Sequence, residues 1–255
     1  MGNEMNGKSL GPAPQTVLEV CVDNVAGLEA AIAGGADRVE LCAALDCGGL
    51  TPSHGLMRAA AQAPIPVYAM IRPRSGSFVF SGEEAAVMAA DIAAARETRL
   101  AGVVLGACLP DGQLDCELLR KLCDAASGLQ KTLHRAFDLV PDHAAALEQA
   151  VTLGFGRILT SGGALSAIAG LEQLTNLVQV ANGRIAIMPG GGVRPELVAS
   201  FWQAGIREFH ASCSAVMEEV PRLVSFGFQR SGQSQTSVDA VRKLALTIRD
   251  LRDAM

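Results

Sequence analysis

Short apolar runs alternate with longer amphipathic or alanine-rich stretches along most of this sequence. Runs of this length, bounded by turn residues, are typical of buried strands, whereas the longer stretches have helical spacing. Eight runs predict β-strands, at positions 17–22, 38–42, 66–71, 102–106, 131–135, 156–160, 184–188 and 207–211. The stretches between and after them predict helices, at 26–33, 54–62, 82–99, 115–126, 143–153, 164–180, 195–204 and 237–251.

Strict alternation of strand and helix predicts a parallel sheet with right-handed crossovers. Eight such units within about 235 residues are typical of an α/β protein of the (β/α)8 TIM-barrel class. An open doubly wound sheet is the alternative, and it is disfavoured because no G-x-G-x-x-G motif follows the first strand. We therefore expect one TIM-barrel domain over residues 16–255 and a flexible polar arm over residues 1–15. The polar stretch 225–237 predicts either a mobile loop at the functional end of the barrel or a disordered surface insertion.

Composition narrows the classes of function. The chain has 255 residues, of which 49% are hydrophobic and 18% charged, so general disorder is excluded. The formal net charge is −5, so we expect no nucleic-acid partner. No apolar stretch is long enough to span a bilayer and no secretion signal is evident, so we expect no membrane partner. Seven cysteines without a C-x-x-C pair predict reduced thiols and a cytoplasmic location.

Alternation within the predicted strands places polar side chains inside the barrel. If the apolar side chains face the helices, the inward residues of strands one, two and eight are Glu19, Cys21, Glu40, Cys42, Glu208, His210 and Ser212. Arg72 and His134 follow strands three and five at the end where barrel sites are built. Because TIM-barrel interiors are normally apolar, this set predicts a functional site. The alternative is a structural layer of ion pairs in which Arg72 neutralises Glu19 and Glu40.

Eight motifs in order and spacing carry a resemblance to a known family: LEVCVDN (18–24), GGADRVELCAAL (34–45), GGLTPS (48–53), IRPRSGSF (71–78), LHRAFD (133–138), ILTSGG (158–163), MPGGGV (188–193) and EFHAS (208–212). With these motifs the chain resembles the CutC family of copper-homeostasis proteins. The resemblance implies a TIM barrel, a cytoplasmic location and a role in copper tolerance. It also implies that Cys21 and Cys42 are copper ligands, and thiolates suit Cu(I). Buried cysteines also serve as small hydrophobic residues, which is the alternative for both.

A glycine-rich turn after strand seven predicts an anion site. Its residues are Gly190, Gly191 and Gly192, whose backbone can approach a ligand closely. The other residues predicted to bind the anion are Thr160, Ser161, Ser212, Arg72 and Arg74. The acid–base candidates beside it are Glu40, His134, Asp138 and His210. The alternative is that the glycines only form a tight turn.

Two functions therefore follow from the sequence. One is a copper-homeostasis protein that binds Cu(I) through Cys21 and Cys42. The alternative is a TIM-barrel enzyme of unknown reaction that acts on a small anionic or phosphorylated metabolite. The expected partner is accordingly a metal ion or a small anionic ligand, and assembly into a homo-oligomer stays open.

Overall fold

The computed structural model of the chain describes residues 16–254, so the arm predicted over residues 1–15 lies outside the described part. Eight strands form the main sheet: β1 (Val17–Val22), β2 (Arg38–Leu41), β3 (Val67–Met70), β4 (Gly102–Leu105), β5 (Gln130–Leu133), β6 (Arg157–Thr160), β7 (Ala186–Pro189) and β8 (Glu208–Ala211). The helices are α1 (Val25–Gly34), α2 (His54–Ala60), α3 (Gly82–Glu97), α4 (Cys116–Ala125), α5 (His143–Thr152), α6 (Leu171–Ala181), α7 (Val198–Gln203), α8 (Pro221–Ser225) and α9 (Val238–Asp253). Short 3₁₀ turns cover Leu45–Cys47, Arg135–Leu139 and Pro195–Leu197.

All eight strands run parallel and pair in chain order from β1 to β7, and β8 returns to pair with β1. The result is a nearly closed TIM barrel, in which the described residues form no ladder between β7 and β8. The predicted fold class is therefore confirmed. None of the helices in the described part of the chain combines the length and apolar character needed to cross a bilayer.

The predicted orientation of the strand residues is also confirmed. Val20 and Leu41 are fully buried in the main apolar core, which they share with residues of the surrounding helices. Cys42, the residue after β2, instead belongs to a small separate cluster with Tyr68 and Met70 of β3 and Val104 of β4. The barrel interior is therefore distinct from the layer between strands and helices, as alternation requires.

Two predicted segments differ from the structure. The helix predicted over 164–180 begins only at Leu171, because the chain after β6 first makes a turn in which Gly162 and Gly163 have φ of +69° and +72°. The stretch 225–237 is neither a loop throughout nor disordered. Its end forms β10 (Ser234–Thr236), which pairs antiparallel with β9 (Ser214–Val216) beyond β8, and helix α8 lies between these two strands.

Candidate functional site

A cavity of about 660 Å³ opens at the carboxyl ends of the barrel strands. This volume is typical of a small-molecule site, and its position is the one that TIM barrels use for ligands. The predicted site residues that line it are Cys21, Glu40, Arg72, His134, Gly191, Gly192, His210 and Ser212. The structure therefore brings together most, but not all, of the polar residues predicted from the sequence.

Below the cavity, a network of buried ion pairs crosses the barrel. Arg38 donates through Nε to Glu19 at 2.5 Å and through Nη2 to Glu208 at 2.6 Å. Arg157 donates to the same oxygen of Glu208 at 3.0 Å. Burial acts to raise the pKa of Glu19, but Arg38 and His210 lower this pKa to about 2. Glu19 is thus a carboxylate held by Arg38, so a layer of buried ion pairs is present, but the alternative in which Arg72 neutralises Glu19 is wrong.

Arg72 instead ties two loops together. Its Nη1 donates to the carbonyl groups of Cys47, Gly48 and Gly49, and its Nη2 donates to that of Gly76 at 2.9 Å. Its guanidinium carbon lies 4.7 Å from the ring centre of Phe78. Arg72 follows the end of β3, so it lies closer than Glu19 to the carboxyl ends of the strands. Its buried Nε has no hydrogen-bond partner within residues 16–254.

Three possible metal ligands meet in the cavity wall. One donor atom from each of Cys21, Glu40 and His210 lies within 4.8 Å of the other two, and all three residues are buried. The His210 Nδ1 donates to Glu19 at 2.8 Å, so its Nε2 faces Glu40, which lies 3.7 Å away. Burial acts to lower the pKa of His210, but the Glu40 carboxylate raises it above its usual range. Burial raises the pKa of Glu40.

Cys42 is not a member of this cluster. In the strand register, Cys21 lies opposite Glu40, so the two E-x-C motifs are displaced by two residues relative to each other. The Cys42 thiol donates to Glu40 at 3.6 Å and does not line the cavity. Burial, followed by the Glu40 charge, raises the pKa of this thiol well above its ordinary value. The resemblance implied Cys21 and Cys42 as ligands, whereas the group of three possible ligands that the structure brings together is Cys21, Glu40 and His210.

His134 is buried on the opposite side of the cavity. Its Nδ1 accepts a hydrogen bond from the Ala136 amide at 3.2 Å, and its Nε2 has no partner within residues 16–254. Burial, reinforced by Arg72, lowers the pKa of His134 to about 3. His134 is therefore neutral at pH 7, with its proton on Nε2, because Nδ1 acts as an acceptor.

Gly106, the residue after β4, provides the space for this ring. A Cβ atom at Gly106 would lie 2.5 Å from Cε1 and 2.6 Å from Nδ1 of His134. We expect Gly106→Ala to displace the imidazole from Ala136 and to lower the free energy of unfolding by about 1–3 kcal/mol, the usual effect of overpacking. Denaturant unfolding measures this loss. Gly82→Ala is the matched control, since a Cβ there meets nothing within 4 Å. Equal effects of the two substitutions would contradict the steric argument.

Besides Cys42, five predicted site residues do not line the cavity: Arg74, the acid–base candidate Asp138, Thr160, Ser161 and Gly190. Thr160 Oγ1 and Ser161 Oγ donate to Asp138, at 2.5 and 3.0 Å. Arg74 is paired with Glu84 rather than free for an anion. A Cβ at Gly190 would lie 2.5 Å from Leu159 Cδ1, so this glycine serves packing against β6.

Three arginines were missed by sequence reasoning. Arg38 has the same parity along β2 as Glu40 and Cys42, so alternation alone places it inside the barrel. Arg135 and Arg194 line the cavity from the turns after β5 and β7. Their positions depend on turn geometry, for which the sequence carries no periodic signal.

The fold and this cavity define a TIM-barrel protein with a polar binding site at the carboxyl ends of its strands. Residues 16–215 match the model of the CutC family, and the chain belongs to that family. A family protein CutC from Agrobacterium fabrum is 56% identical over 231 residues, covering 89% of this chain and 92% of the relative. A family protein CutC from Caulobacter vibrioides is 51% identical over 243 residues, covering 94% and 99%.

Solved structures agree with this assignment. The crystal structure of a CutC protein from Streptococcus agalactiae, whose name refers to copper homeostasis, superposes with a TM-score of 0.74 at 36% identity and covers 78% of this chain and 99% of that one. Thiamine phosphate pyrophosphorylase from Pyrococcus furiosus superposes with a TM-score of 0.59 at 15% identity, covering 92% of this chain and 96% of that one. The second similarity concerns the fold alone.

Proposed function

We propose that this protein binds a transition-metal ion, and specifically Cu(I), through Cys21, Glu40 and His210. The observation that carries the proposal is the convergence of three buried donor atoms within 4.8 Å in the cavity wall. Thiolate is a soft ligand that suits Cu(I), and imidazole suits copper in general. The name of the Streptococcus agalactiae relative refers to copper homeostasis, which supports the choice of this metal.

Two further contacts support the fit of a metal ion. Glu40 Oε1 is buried and has no hydrogen-bond partner within the described residues, so it is a donor that a cation would satisfy. Glu19 accepts from His210 Nδ1 at 2.8 Å, which holds Nε2 towards the cluster. A carboxylate behind a metal-binding histidine is a common arrangement, because it orients the ring and increases its basicity.

The state of the cysteines supports a function in copper homeostasis within the cytoplasm. All seven are free thiols, which is typical of proteins in a reducing compartment, where copper is held as Cu(I). Cys21 lines the cavity and is reachable by an ion, whereas Cys42 is fully buried. We therefore retain Cys21 as a ligand and assign Cys42 to the barrel interior.

The test is a Cu(I) titration under anaerobic, reducing conditions with a chromophoric chelator as competitor. We expect the wild type to bind one ion per chain and Cys21→Ser to bind it at least about tenfold more weakly, since a first ligand is lost. Cys42→Ser is the matched control, because Cys42 is a second buried thiol, two positions beyond the residue that lies opposite Cys21. This variant should bind Cu(I) with the wild-type affinity. Equal affinities of wild type and Cys21→Ser, or a loss confined to Cys42→Ser, would refute this ligand set.

A second candidate function is an enzyme that acts on a small anionic metabolite. The cavity, at about 660 Å³, is far larger than a single ion requires, and neutral His134 lines a part of it that the metal cluster does not use. His134 is the acid–base candidate in this case, with Arg72 beside it. The two functions are separable, because His134→Asn should leave Cu(I) affinity unchanged.

A further inference from the structure

The turn after β7 presents backbone donors without partners. Gly191 and Gly192 line the cavity, and neither amide makes a hydrogen bond within residues 16–254, whereas the Gly190 amide donates to Thr160 O at 2.9 Å. Their φ angles of +96° and +86° are in the range that favours glycine. Consecutive unpaired amides of this kind attract anions.

The neighbouring turn after β6 shows the same type of donors already occupied by a carboxylate of the chain itself. Asp138 accepts from the amides of Ser161 and Gly163 at 2.8 and 3.2 Å, and from the hydroxyl of Thr160 at 2.5 Å. These donors are therefore not available to a ligand. Asp138 also accepts from Arg135 Nε at 2.7 Å, so the same carboxylate positions the Arg135 side chain.

Arg135 lies between the turn after β6, whose donors are paired with Asp138, and the turn after β7, whose Gly191 and Gly192 amides are unpaired within residues 16–254. Its Nε and Nη2 are used by Asp138 and by Ser161 Oγ, the latter at 2.8 Å, while Nη1 makes no hydrogen bond in the described part of the chain. A Cβ at Gly191 would lie 3.4 Å from this Nη1, so the guanidinium lies directly against the glycine. Its side chain is 42% exposed, on the cavity wall.

Arg194 adds a second positive charge to the same wall. It follows the glycines, lines the cavity, is exposed and makes no ion pair within residues 16–254. On the far side of the cavity, the buried Nε of Arg72 and Nε2 of His134 have no partners either. The cavity wall thus combines unpaired backbone donors with two arginine side chains that retain free N–H groups.

We propose that Arg135, Arg194 and the amides of Gly191 and Gly192 bind the phosphate group of a small phosphorylated metabolite. Guanidinium groups and backbone amides together are the donors that a phosphate prefers. Asp138 is a positioning residue, because its carboxylate orients Arg135 and does not line the cavity. This inference rests on the second candidate function, and a binding assay tests it without requiring turnover or copper.

The test is calorimetric titration of the metal-free, full-length protein with inorganic phosphate, and with acetate as the alternative anion. We expect millimolar or tighter phosphate binding by the wild type, weaker acetate binding, and about a tenfold loss of phosphate affinity in Arg135→Gln. Arg74→Gln is the matched control, since Arg74 is paired with Glu84 outside the cavity lining, and it should bind phosphate as the wild type does.

A double-mutant cycle separates positioning by Asp138 from general damage to the fold. Asp138→Asn should weaken phosphate binding in the wild-type background and have little further effect in the Arg135→Gln background, because it acts through that arginine. Absence of phosphate binding at millimolar concentration, acetate binding as tight as phosphate binding, or unchanged affinity in Arg135→Gln would each overturn the proposal. Additive effects of Asp138→Asn and Arg135→Gln would overturn the positioning role.

Discussion

Arg38→Met is expected to lower the free energy of unfolding by about 3–5 kcal/mol, the usual cost of removing one partner from a buried ion pair. Arg38 is the only arginine that contacts Glu19 in the described part of the chain, and Glu19 has no solvent exposure. Without Arg38, the Glu19 carboxylate would keep only His210 as an ionic partner, and Glu208 would keep only Arg157. Thermal or denaturant unfolding measures the loss.

Two comparisons make this prediction specific to the buried charge. Arg184→Met removes an arginine from a surface pair with Glu148 and should change stability little, because solvent screens exposed pairs. Adding Glu19→Gln to Arg38→Met should recover part of the loss, since the uncompensated charge is then gone. A small effect of Arg38→Met, or a further loss in the double variant, would show that the network is not what stabilises the barrel interior.

Acid should destabilise this protein through His134. In the folded protein the pKa of His134 is lowered from 6.5 to about 3, so below pH 6.5 the unfolded chain takes up a proton that the folded protein does not. The stabilisation is complete above pH 6.5 and is lost as the pH falls towards 3. Between pH 6.5 and 4 the loss from this one group is about 3 kcal/mol, at about 1.4 kcal/mol for each pH unit.

The measurement is the free energy of unfolding across this pH range for wild type and His134→Asn. The asparagine oxygen can still accept from the Ala136 amide, and the variant cannot take up the proton, so its stability should fall less steeply below pH 6.5. Other acid-sensitive groups, such as Glu19, affect both proteins equally. His54→Asn, at an exposed histidine, is the matched control. Parallel curves for wild type and His134→Asn would contradict the neutral, buried state of His134.

The cluster of Cys21, Glu40 and His210 depends on contacts between strands, which alternation within one strand does not predict. Alternation correctly directed Cys21, Glu40 and Cys42 into the barrel, because each is set by the side-chain period of its own strand. It could not show that Cys21 lies opposite Glu40, since the stagger between neighbouring strands belongs to the closed barrel as a whole. The resemblance implied the pair Cys21 and Cys42, whereas the register places Glu40 beside Cys21.

The partners of Arg38 and Arg72 likewise depend on the position of each side chain along the barrel axis. Arg72 follows β3 and meets loop carbonyl groups, whereas Arg38 begins β2 and meets Glu19. Both are buried arginines on neighbouring strands or just after them, so the level of each side chain along the barrel axis decides its partner.

The sequence by itself determined the strand and helix order, the barrel class and which strand residues face inward, because these follow from local periodicity and chain connectivity. The tertiary structure alone decided which inward residues meet. It placed His210 against Glu19 and Glu40, and it paired the donors of the turn after β6 with Asp138. It left the amides of Gly191 and Gly192 without a partner within residues 16–254. These contacts join residues far apart in the chain, and their geometry depends on strand stagger and turn conformation, which no periodic pattern encodes.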